Sequence, residues 1–80
     1  MHHVYVLECS DGTYYTGYTT DVERRVAEHD AGDGAKYTRG RTPVELVHTE
    51  SYETRSAAMS REYEVKQLSR AAKEALCCTR

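Results

Sequence analysis

The chain predicts an α+β fold, a three-stranded antiparallel sheet with helices packed against it in the order β-β-α-β-α-α. Three observations carry that prediction. Two β-prone runs are separated by a turn too short for any connection but a hairpin, a helix-opening signature follows them, and a third β-prone run precedes a long helical pattern. Residues 2–8 (HHVYVLE) are β-branched and aromatic and read as the first strand. Ser10, Asp11 and Gly12 signal a turn, and residues 13–19 (TYYTGYT) read as the second strand. Thr20 as a cap with Glu23 three residues later forms a capping box that opens a helix through about residue 30, where Gly32 suits a left-handed end. Residues 32–43 hold three of the five Gly and the single Pro, and read as loop. Residues 44–49 (VELVHT) form the third strand, residues 56–68 a helix, and Ser69 caps a last helix over about 70–77.

Eighty residues are expected to form one domain, 1–80, with a small core that buries roughly 60 % of the unfolded surface. Dimerisation would supplement so small a core. Charged residues at 30 % and hydrophobic ones at 39 % suit a soluble globular chain. Neither a bilayer-spanning run nor a leader is expected, which points to the cytoplasm. The net charge of -2 excludes the high overall pI of a generic nucleic-acid binder, but charge distribution matters more than its sum. Three of the eleven cations fall between Lys36 and Arg41. Cys9, Cys77 and Cys78 contain no Cys-x-x-Cys spacing, so a structural zinc site is not expected, and they read as small apolar residues of a reducing compartment. His2 and His3 read as a strand start or tag remnant, without a second ligand at metal spacing. All seven aromatic residues are Tyr, so every ring carries a hydroxyl that needs a partner if buried.

The hairpin turn decides where two of these hydroxyls point. A two-residue loop would place Tyr5 opposite Tyr18 and send Tyr15 to the other face. A three-residue loop with Gly12 in the left-handed position pairs Cys9 with Thr13 and Leu7 with Tyr15, so Tyr5 and Tyr15 share a face. In that register Gly17 lies opposite Tyr5, where a Gly marks close approach of another group.

On the first helix, Arg25 and His29 are four apart and project from one side, a cation and an imidazole that could face an anion together. On the later helix Glu62 sits among Ala58, Met59 and Val65 and needs a partner. Lys66 at i+4 supplies one by an ordinary helix ion pair, and a hard divalent cation is the other. Local sequence leaves both open. Lys36, Tyr37, Arg39 and Arg41 combine cations, a ring and Gly40 in a segment suited to phosphate contact and base stacking. Phenols, an Arg, a His and one carboxylate, without a nucleophile elbow or phosphate-binding Gly motif, form a set able to hydrolyse a phosphodiester.

From Val4 to about Leu76 the chain resembles the GIY-YIG nuclease superfamily, closest to its small stand-alone, single-domain members. The first motif stands as His3, Val4 and Tyr5, and the second as Tyr15, Thr16 and Gly17. Arg25 follows Tyr15 by ten residues, His29 takes the i+4 position, and Glu62 matches the acid of the later helix. Gly34 through Gly40 resembles the loop of the small-protein branch, and Tyr18 stands where relatives often carry Lys or another polar residue. The resemblance selects the three-residue turn, because the family places both Tyr in one pocket. It implies a metal-dependent endonuclease acting on branched or damaged DNA in repair or recombination, with RNA left open as a partner. Tyr5 and Tyr15 would bind or activate water, Arg25 would hold the scissile phosphate, and His29 would assist proton transfer. Glu62 would ligate Mg²⁺ or Mn²⁺. The alternative is a nucleic-acid-binding module of the same fold with little turnover.

Overall fold

The computed structural model describes residues 1–32 and 40–78. Its elements are β1 (His2–Glu8), β2 (Tyr14–Thr19), α1 (Val22–Asp30), β3 (Glu45–Tyr52), α2 (Arg55–Lys66) and α3 (Arg70–Cys78). The three strands form one antiparallel sheet in the order β2-β1-β3. The α+β class and the element order are therefore those read from the sequence. β1 is the central strand, and Val4, Tyr5, Val6 and Leu7 are all buried because helices cover both of its faces.

The turn between β1 and β2 has the longer geometry. The Cys9 amide donates to the Thr13 carbonyl at 2.8 Å, the Gly12 amide to the Cys9 carbonyl at 2.9 Å, and Gly12 has φ +83°. Asp11 accepts from the Thr13 amide at 3.1 Å and hydroxyl at 2.6 Å, and Arg70 of α3 donates to the Gly12 carbonyl at 2.9 Å. The turn is thus held from within and from outside. Leu7 pairs with Tyr15 and Tyr5 with Gly17 as a result.

Alternation along the strands gives the sheet two different layers. On one face Val6 packs with Val47, with Val65 of α2 and with Cys77 of α3, and Tyr14, Leu68 and Leu76 close the edge. On the other face Tyr5 and Tyr15 meet His29 of α1.

Three local details differ from the sequence reading. Asp21, not Thr20, caps α1: its carboxylate accepts from the Arg24 amide at 3.2 Å, and Thr19 accepts from the Asp21 amide at 3.0 Å. Thr20 lost because an acid two positions from the second strand's end reaches the first-turn amides directly. β3 runs to Tyr52 because pairing with β1 continues to His2. α2 begins at Arg55, one residue before the expected start, because Thr54 accepts from the Ala57 amide at 3.1 Å. Ser69 caps α3 as expected, accepting from the Ala72 amide at 3.2 Å.

Candidate active site

Tyr5 and Tyr15 come together because the hairpin register puts Leu7 opposite Tyr15, so both phenols leave the same face. Their ring centroids lie 6.3 Å apart. Gly17 makes room for the first of them: a Cβ there would sit inside 3.0 Å of the Tyr5 hydroxyl and ring carbons. The Tyr5 ring therefore lies across the backbone of β2, the edge strand, and carries its hydroxyl toward the sheet margin.

His29 closes this layer from above. It is fully buried, its Nε2 is 2.8 Å from the Tyr5 hydroxyl, and its ring centroid is 5.8 Å from Tyr5 and 5.0 Å from Tyr15. Burial, and then the nearby Arg25 charge, lower the His29 pKa and favour the neutral imidazole. In the tautomer with its proton on Nδ1, the Tyr5 hydroxyl donates to Nε2. Burial pushes the Tyr5 phenol up to about 12, against a hydrogen bond from Arg25 that pulls it down. Tyr15 is raised by burial as well, and Arg25 again opposes the shift. Both phenols are thus neutral donors near neutral pH.

Arg25 lies one helical turn before His29 and on the same side of α1. Its Nη1 donates to Glu28 at 3.0 Å, and this bond, together with one to Tyr5, raises the guanidinium pKa. Glu28 was missed in the sequence. An acid at i+3 from a candidate phosphate-binding Arg was the available signal, since that spacing brings side chains together on a helix.

Glu62 is neither turned to solvent nor tightly paired. Its side chain is 15 % exposed, and Lys66 approaches it only to 3.8 Å. Ala58 and Val65, on neighbouring positions of the same helix stripe, are fully buried. The Glu62 charge makes a small contribution to raising the pKa of both Tyr5 and Tyr15, after burial, so the carboxylate lies within electrostatic reach of the phenol pair. The ordinary lysine pair of the sequence reading thus exists in loose form and, among the described residues, leaves carboxylate lone pairs unfilled.

Among the described residues no group of three or more His, Cys, Asp or Glu could enclose a metal ion. A single carboxylate beside phenol oxygens nevertheless fits Mg²⁺ or Mn²⁺, hard ions that take one or two carboxylates and fill their remaining positions with water and substrate phosphate. Glu62 is the residue that would hold such an ion.

The basic segment is placed only at its end. Lys36, Tyr37 and Arg39 lie outside the described residues. Arg41 pairs with Asp11 at 3.0 Å, and its carbonyl accepts from the Ser10 amide at 2.8 Å, which ties it to the turn end of the hairpin. A second cluster escaped the sequence reading altogether: Glu50 of β3 receives Arg61 of α2 at 2.8 and 3.2 Å, His48 at 2.7 Å and Tyr52 at 2.5 Å.

Comparison with known proteins places this geometry in a family. The profile described as GIY-YIG catalytic domain matches residues 1–75, and the chain belongs to that family. It is 82 % identical over 76 residues to a UPF0213 protein of Halobacterium salinarum, covering 95 % of this chain and 99 % of the relative. It also resembles the solution NMR structure of a UPF0213 protein from Bacillus halodurans, with a TM-score of 0.60 and 60 % identity over 94 % of this chain and 80 % of that one. The solution NMR structure of a protein from E. faecalis gives a TM-score of 0.62 and 53 % identity over 92 % of this chain and 79 % of that one. None of the described helices is long and apolar enough to cross a membrane.

Proposed function

We propose that this GIY-YIG domain is a metal-assisted endonuclease that hydrolyses phosphodiester bonds in DNA. The observation that carries the reading is the meeting of Tyr5, Tyr15, His29 and Arg25 with the Glu62 charge on one side of a hairpin. Arg25 holds a non-bridging phosphate oxygen and stabilises the charge that develops there. Glu28, bonded to Arg25 at 3.0 Å, keeps that guanidinium aimed.

Tyr5 is too weak an acid to act as a preformed phenolate, with its pKa pushed up to about 12. Its role is a relay. The phenol oxygen accepts a proton from the attacking water as the phenol proton passes to the neutral Nε2 of His29, 2.8 Å away. Tyr15, on the same face, orients that water. Glu62 is the residue that would hold a divalent ion, whose charge would neutralise the departing oxygen.

The test is incubation of the protein with branched, single-stranded and duplex DNA, with Mn²⁺ or with EDTA. Cleavage that needs the ion supports the nuclease. Binding without cleavage under every condition would leave only a nucleic-acid-binding module, and its affinity would fall steeply with salt.

A further inference from the structure

We propose that His2, Tyr18 and Arg55 form a stacking subsite for an unpaired nucleotide a few positions along the strand from the scissile phosphate. The proposal rests on the nuclease reading of the Glu62 site and adds a substrate feature to it.

The three residues come from β1, β2 and the first turn of α2. The His2 Nδ1 is 2.6 Å from the Tyr18 hydroxyl, and the two ring planes lie within 14° with centroids 5.9 Å apart. The two rings are thus stacked nearly parallel and tied at the phenol oxygen. The Arg55 guanidinium lies over the Tyr18 ring, 5.9 Å from its centroid.

Ion pairing sets Arg55 apart. Among the described arginines, Arg24 and Arg25 pair with Glu28, Arg41 with Asp11, Arg61 with Glu50 and Arg70 with Glu74. Arg55 is exposed and makes no ion pair among the described residues. A guanidinium held on a ring keeps its N–H fork for a planar anion such as phosphate.

The tie to the active site runs along α2. Tyr18 is on the edge strand and, paired with Val4, leaves the face opposite to Tyr5, the face on which Val65 of α2 packs. Arg55 and Glu62 are seven residues apart on α2, so they share a helix face about 10 Å apart along the axis. That is about three stacked base steps of ~3.4 Å. A strand whose scissile phosphate sits at Glu62 and that runs along α2 thus reaches the ring a few nucleotides away. The His2 bond holds the phenol in place beforehand, which reduces the ordering cost of stacking. The ligand is an unpaired nucleotide because a base within a duplex does not offer its face to a side chain.

The experiment is fluorescence anisotropy with a labelled single-stranded oligonucleotide and a blunt duplex in EDTA, which prevents cleavage, with thermal melts of each variant. Tyr18→Leu is expected to weaken single-strand binding about tenfold, in the range of one lost base stack. Tyr18→Phe retains most of the affinity. Arg55→Ala, an exposed change, lowers the slope of log affinity against log salt by about 0.7. Duplex binding stays within about twofold in Tyr18→Leu. Wild-type affinity and salt slope in both Tyr18→Leu and Arg55→Ala, in a protein that still cleaves with Mn²⁺, would overturn the subsite and leave the nuclease standing. Equal losses on single strand and duplex would also overturn it. A wild-type protein that neither binds nor cleaves nucleic acid would overturn both readings.

Discussion

Glu50 and Glu62 are two half-hidden carboxylates that meet the same helix in opposite ways. Glu50 on β3 has a side chain 18 % exposed, and Glu62 on α2 one that is 15 % exposed. Burial would raise the Glu50 pKa, but hydrogen bonds from Arg61, Tyr52 and His48 overcome it and hold the carboxyl at about 2. Among the described residues Glu62 has one lysine, at 3.8 Å. Equal burial with unequal satisfaction separates a structural acid from one with lone pairs to spare. The two are also linked, because Arg61 precedes Glu62 in the chain. The two-pronged grip of Glu50 on Arg61 fixes how α2 is rotated, and so which way Glu62 faces.

Substitutions at the two acids should therefore fail in different assays. Glu62→Gln is expected to lower Mn²⁺-dependent cleavage by about 10³-fold, with thermal stability nearly unchanged. A Gln variant that melted early while retaining its cleavage rate would reverse the assignment of the two acids.

Tyr5→Phe tests the other half of the site and is expected to lower cleavage by about 10²-fold, the usual worth of a positioned proton carrier. The wild-type rate should have an acid limb below pH 6.5, because burial lowers the His29 pKa from that value and only the neutral imidazole can take the proton. A rate that kept rising only above pH 8 would point to a different base.

Glu50→Gln is the complement of the first test and is expected to cost about 2 kcal/mol of stability, measured by urea unfolding. The pH dependence follows from the direction of the shift. A carboxyl lowered from 4.5 to about 2 stabilises the fold fully above pH 4.5, and that contribution is lost as the pH falls toward 2. The variant should show a flatter acid limb than the wild type.

The smallest effect is expected at Thr16, between the two site positions Tyr15 and Gly17. Its buried hydroxyl has no hydrogen-bond partner among the described residues, so Thr16→Val should raise stability by about 1 kcal/mol and leave cleavage unchanged. A loss of cleavage there would mean that the hydroxyl serves the site.

What was legible in the sequence divides along the same line. Local chemistry left two registers for the Tyr face, and the resemblance selected the one the structure has, with Gly12 in the left-handed position and Tyr5 over Gly17 beside Tyr15. Helical spacing put Arg25 and His29 on one side. The Glu50 cluster was not legible, because Glu50 and Arg61 are eleven residues apart on different elements and no period connects a strand face to a helix face. For Glu62, spacing supplied the lysine alternative, but the distance and burial that weaken it come from packing. The caps at Asp21 and Thr54 were missed for a smaller reason. Several Thr, Ser or Asp stand near each helix start, and backbone geometry selects which one reaches the free amides.

The most direct measurement is an NMR titration with paramagnetic Mn²⁺ on the wild type and on Glu62→Gln. Broadening should be strongest at Glu62, Tyr5 and Tyr15 in the wild type, weaker at His48 and Glu50, and fall away in the variant. Broadening centred on His48 and Glu50, or unchanged by the loss of the Glu62 charge, would contradict a metal-assisted site built on that acid.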